Sequence, residues 1–142
     1  KFAPISIAAH VLDGATRDLL VSPQHRLLFT GYKAELLFGC DEVLIAAKHL
    51  VDGRDVVAAP QASVTYIHMM LDCHEVVYAD GAATAGDVGI SAISDQSREE
   101  MFSIFPELRT NPNAYGRTAR PCLKRHEAQL LLPDLLPFRI AA

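Results

Sequence analysis

The chain has 142 residues, half of them hydrophobic and 21% charged, which reads as about one domain of ordinary globular composition and argues against disorder. Seventeen acidic against thirteen basic residues give a net charge of −4, which speaks against a broad nucleic-acid surface. No apolar run reaches the ~18 residues of a membrane span.

The first two thirds read as β. Residues 5–8 alternate apolar and polar, and 64–69 do so less cleanly. Short apolar runs occupy 27–29, 36–38, 43–45, 56–57 and 76–78, separated by turn signals such as Asp13-Gly14, Gly31, Gly39, Asp52-Gly53 and Asp80-Gly81. Residues 46–51 fit one helical turn or a bent strand. Residues 82–94, rich in small side chains, read as a loop or linker. A helix is predicted from Ser94 or Asp95, with Met101, Ile104, Phe105 and Leu108 on its inward face and Pro106 cutting it short. A second helix is predicted from Pro121 to Leu132, stopped by Pro133. Arg117, Arg120, Lys124 and Arg125 then form the solvated face of a helix.

Two constellations carry chemistry. In Ser22-Pro23-Gln24-His25, a hydroxyl sits three residues before a histidine in a turn that Pro23 stiffens. Both side chains can hydrogen-bond one reacting peptide group, and histidine can give or take its proton near neutral pH. The bland alternative is an ordinary turn histidine. In residues 66–81, an extended chain places Tyr66, His68, Asp72 and His74 on one face, where an acid can orient an imidazole. A hairpin with a polar turn at 71–74 is the alternative, and a turn can also carry a site. Cys40, Cys73 and Cys122 form no C-x-x-C pair and read as buried or incidental free thiols. No spacing supports a metal site on His49, His68 and His74. His10, His49 and His126 read as surface or structural. No helical H-E-x-x-H, G-x-S-x-G, Walker or dinucleotide motif occurs.

Three blocks taken together, residues 17–28, 42–51 and 66–81, resemble the bacterial Hint (hedgehog/intein) domains in order and spacing. The likeness covers residues 2–84. Residues 102–132, with Phe105-Pro106-Glu107-Leu108 and Ala119-Arg120-Pro121, resemble the helical extension that follows the Hint region in this subfamily. The resemblance implies a mainly β, partial Hint-like domain over 1–84, followed by a linker and α-helical extension over 85–142 that packs on it. It implies protein self-processing: a Cys or Ser opening the domain attacks the preceding carbonyl, and an N-to-S or N-to-O acyl shift follows. Ser22 and His25 match the block that assists this step, and Asp72 and His74 match a later block. Tyr66 and His68 support the site.

The departures bear on activity. No cysteine precedes Cys40, and the chain lacks a C-terminal His-Asn pair. The nucleophile is therefore expected upstream of Lys1, and the chain alone is expected to be catalytically incomplete. The resemblance implies no cofactor. The implied substrate is the protein's own upstream segment, with no nucleic-acid or membrane partner. Missing N-terminal strands are expected to leave an open sheet edge or an apolar groove that a second copy or a retained N-terminal fragment covers. Proteins with such domains are often exported by bacteria, but this chain carries no address. The competing readings are a non-catalytic Hint-like binding or structural module, and a small metal-dependent hydrolase using His68, Asp72 and His74.

Overall fold

The computed structural model describes residues 3–12, 14–67, 69, 71, 73–85, 95–111 and 118–132. Among these, seven strands form two antiparallel sheets. Strands β1 (Ile5–Ile7), β2 (Leu19–Val21) and β5 (Val56–Ala58) make a three-stranded sheet in the order β2-β1-β5. Strands β3 (Arg26–Thr30), β4 (Glu42–Ala46), β6 (Val77–Ala79) and β7 (Ala82–Ala85) make the second, in the order β4-β3-β7-β6. The protein is thus mainly β, with short helices α1 (Tyr32–Phe38), α2 (Asp95–Ile104), α3 (Glu107–Thr110) and α4 (Arg125–Leu131).

Side-chain alternation explains how the sheets stack. Leu27, Phe29, Val43, Ile45 and Ala82 share one core with Ile5, Ile7, Leu19, Val21 and Val56 of the other sheet. The intervening Leu28, Leu44, Ala83 and Ala85 form a second cluster on the opposite face, with Val76 against it. Strands β3 and β4 are therefore covered on both faces and read as continuous apolar runs rather than alternating ones, whereas Tyr78 of the edge strand β6 is exposed.

Several expectations are corrected. Residues 36–38 belong to helix α1, not to a strand. Leu36 is 76% exposed, and Gly39 ends the helix in the left-handed region at φ 68°. Residues 64–67 form no regular strand. Residues 82–85 are not linker but strand β7, fully buried between β3 and β6. Their small side chains suit a strand buried on both faces, where neighbours crowd in. Residues 86–94 lie outside the described residues.

Helix α2 starts at Asp95 and ends before Pro106, but it buries no residue. Ile104 is 70% exposed, and only Leu108, in α3, is buried. The predicted helix from Pro121 begins only at Arg125, because residues 121–123 pair with β4 instead. The Leu44 amide donates to the Pro121 carbonyl at 2.7 Å, and the Leu123 amide donates to the Leu44 carbonyl at 2.8 Å. Arg120 therefore pairs with Glu42 rather than lining a helix, and Lys124 is the residue before α4. Arg117 lies outside the described residues. Leu123, Ala128 and Leu131 are buried in the main core.

Candidate functional site

The Ser22–His25 turn is held by its own hydrogen bonds and by the segment that follows β4. The His25 amide donates to the Ser22 Oγ at 3.1 Å and to the Ser22 carbonyl at 3.0 Å. The Lys48 amide donates to the Pro23 carbonyl at 3.0 Å, and the Ala47 amide to the His25 carbonyl at 2.8 Å. The Lys48 ammonium donates to the Gln24 Oε1 at 2.6 Å. Pro23 fits here because its position calls for no N–H donor, and its fixed φ stiffens the turn. The residues after β4, where the chain tightens into a short 3-10 turn over Ala47–His49, thus pin the turn. Residues 46–51 combine both forms offered by the sequence, a strand end and one helical turn.

His25 immediately precedes β3, and His74 stands shortly before β6. Strands β3 and β6 both run antiparallel to β7, and Leu27, Thr84 and Val77 lie in one row across the three. His25 and His74 therefore precede strands that enter the sheet from the same end with β7 between them, those two strands lying roughly 10 Å apart at ~4.8 Å per spacing. The Nε2 atoms of both rings are shut off from solvent. The Nδ1 atom of His74 accepts a hydrogen bond from the Ala119 amide at 3.0 Å. That partner is a backbone group, so no side-chain signal could have announced it.

Tyr66 is half-buried, and burial pushes its phenol up from the usual tyrosine value. His68 and Asp72 lie outside the described residues. Cys40 is half-buried, whereas Cys73 and Cys122 are exposed rather than buried; all three are free thiols. The Cys73 thiol donates to the Glu75 carboxylate at 3.3 Å. His10 lies near Asp55 at 3.4 Å, and His126 is exposed. Among the described residues no group of three or more His, Cys, Asp and Glu side chains is placed to hold a metal ion.

A two-sheet β body with a pinned Ser-x-x-His turn and a second histidine at the same end is consistent with a family assignment. The family model for the Hint domain matches residues 1–86, and the chain belongs to the Hint-domain family. Comparison with curated proteins and with solved structures finds no match.

Proposed function

We propose that this chain is part of a Hint-type autoprocessing domain, the part that activates the scissile peptide bond rather than the part that attacks it. The observation that carries this reading is the pinned Ser22–His25 turn. A hydroxyl offers one donor and two acceptor sites. The Ser22 Oγ accepts from the His25 amide, which leaves its O–H to donate to an incoming peptide group.

In this reading an upstream thiol or hydroxyl adds to the preceding carbonyl carbon, a new C–S or C–O bond forms, and the proton it loses replaces, directly or through solvent, the one His25 gives up. The C–N bond then breaks, and the departing nitrogen takes a proton that His25 supplies as general acid. Ser22 hydrogen-bonds the same amide and favours its distortion from planarity, which peptide resonance resists by ~18–20 kcal/mol. His74, with Asp72, assists the shift and the later attack on the ester or thioester. The substrate is the protein's own upstream segment. Among the described residues, β2, β5 and β6 each pair on one side only, and an upstream strand, a retained fragment or a second copy would cover such an edge.

The test is expression of a longer precursor carrying the upstream segment, followed by gel and mass spectrometry with and without added thiol. Cleavage at the domain's start that slows in His25→Ala supports the reading. An intact wild-type precursor would point instead to a Hint-like module without the reaction.

A further inference from the structure

The family match ends at residue 86, yet residues 119–131 are built into the same body. Residues 121–123 form a strap along the outer edge of β4, held by both backbone groups of Leu44. Arg120 pairs with Glu42, two positions along the same strand. Leu123, Ala128 and Leu131 anchor the strap in the main core. Sliding the strap by one residue would turn Leu123 out of the core and break the pairing with Leu44. The register is therefore specified, and it delivers the Ala119 amide to His74 Nδ1 at 3.0 Å.

We infer that the Ala119 backbone amide is a positioning group for His74, selecting the imidazole tautomer that carries its proton on Nε2. An N–H donor needs a lone pair to point at, so Nδ1 bears no proton and the neutral ring holds its one proton on the other nitrogen. That nitrogen is screened from solvent. The strap thus makes His74 Nε2 a donor rather than a base. In the autoprocessing reading, on which the catalytic meaning rests, His74 would hydrogen-bond the oxygen that gains charge during acyl transfer. A segment outside the family-matched residues would in this way complete the site.

The full chain, labelled with nitrogen-15, tests this by two nuclear magnetic resonance measurements. The first is the pair of side-chain nitrogen shifts of His74. The second is the coupling across the hydrogen bond from the Ala119 amide nitrogen to His74 Nδ1. The expected result is a resolved coupling, an unprotonated Nδ1 and a protonated Nε2. A proton on Nδ1, or no coupling in the folded chain, overturns the inference.

Ala119→Pro removes the donor and should move both ring nitrogens toward averaged shifts, while Ala119→Gly keeps the donor and should restore the wild-type pattern. A folded A119P chain with unchanged shifts, or an A119G chain that behaves like A119P, overturns the inference. Should A119P fail to fold, the wild-type coupling decides alone. None of these readouts needs cleavage, so an uncleaved precursor would sink the autoprocessing reading without touching the strap, and the reverse holds equally.

Discussion

Arg17 and Asp80 stand 63 residues apart and are joined by two hydrogen bonds, Nε to Oδ2 at 3.0 Å and Nη2 to Oδ1 at 2.9 Å. The pair fastens the β6–β7 turn to the loop before β2. The turn itself needs unusual backbone: Asp80 has φ 49° and Gly81 has φ 87°. A Cβ on Gly81 would overlap the carbonyl oxygen of Gly14. Gly81→Ala should therefore destabilise the protein by about 2–4 kcal/mol, combining a left-handed backbone penalty with overpacking. Arg17→Ala should cost less than about 1 kcal/mol, because Arg17 is largely exposed and such ion pairs are screened. Urea denaturation of both variants checks the ranking. A G81A chain as stable as wild type would contradict the close approach.

Ser22 separates a structural from a chemical role. Its carbonyl still accepts from the His25 amide when the hydroxyl is lost, so Ser22→Ala should cost at most about 1 kcal/mol of stability. In a precursor, losing one hydrogen bond to the reacting amide should slow cleavage about tenfold, and His25→Ala should slow it by about 10²–10⁴, the usual range for a general acid. Time courses on gels measure both. Wild-type rates in S22A would remove Ser22 from the mechanism.

The strap makes a stability prediction independent of any reaction. Leu131 is fully buried in the main core, and Leu131→Ala should cost about 2–5 kcal/mol. Because that core is shared with both sheets, unfolding should remain a single transition with a lowered midpoint. A separate early transition in L131A, leaving the sheets intact, would show that α4 is an independent appendage.

Asp52 organises the turn that leads into β5. Slight burial pushes its carboxyl up, but the amides of Arg54, Val56 and Asp55, all donating to Oδ1 at 2.8–3.0 Å, outweigh this and hold it below the usual carboxylate range. The folded state therefore binds this proton less readily than the unfolded state. The stabilisation is present above the unfolded value of about 3.9 and is lost as pH falls through the lower folded value. Asp52→Ala should cost about 1–2 kcal/mol near neutral pH, and Asp52→Asn, which keeps an acceptor, should cost less. Denaturation midpoints across acid pH measure the difference; equal losses in the two variants would refute the acceptor role.

His49 acts in the same direction but nearer neutral pH. Burial, then the charges of Lys48 and Arg125, lower its pKa below the ordinary imidazole value. Its Nδ1 is buried with no hydrogen-bond partner among the described residues. Above about pH 6.5 the ring is neutral in both states and contributes no slope. As pH falls through that value the unfolded chain takes the proton first, so stability declines. His49→Leu should flatten the profile between about pH 7 and about pH 5. An unchanged profile would assign that slope to other groups.

Much of the sheet framework was legible because its strands are β-branched or leucine-rich runs between turn residues. Leu27, Val43 and Val56 illustrate this. Strand β7 is not legible in the sequence because alanine has little strand propensity, and burial between two neighbours rather than propensity holds it in place. Leu36, Leu37 and Phe38 look like a strand in sequence, but Gly31 and Gly39 bracket them as a two-turn helix. Ser22 and His25 could be singled out because their contact is local. The Ala119 amide that meets His74 could not, since its place, 45 residues along the chain, depends on where the strap that follows it comes to rest.

Both backbone groups of Leu44 await partners that arrive roughly 80 residues later. At typical elongation rates of ~5–20 residues per second, that delay is roughly 4–16 s. During synthesis, β3 and β4 can pair while the outer side of β4 remains a template for any other extended chain. The nascent protein is thus most exposed to aggregation or chaperone capture in the interval before residues 121–123 leave the ribosome. A chain truncated before Pro121 would prolong that exposure indefinitely.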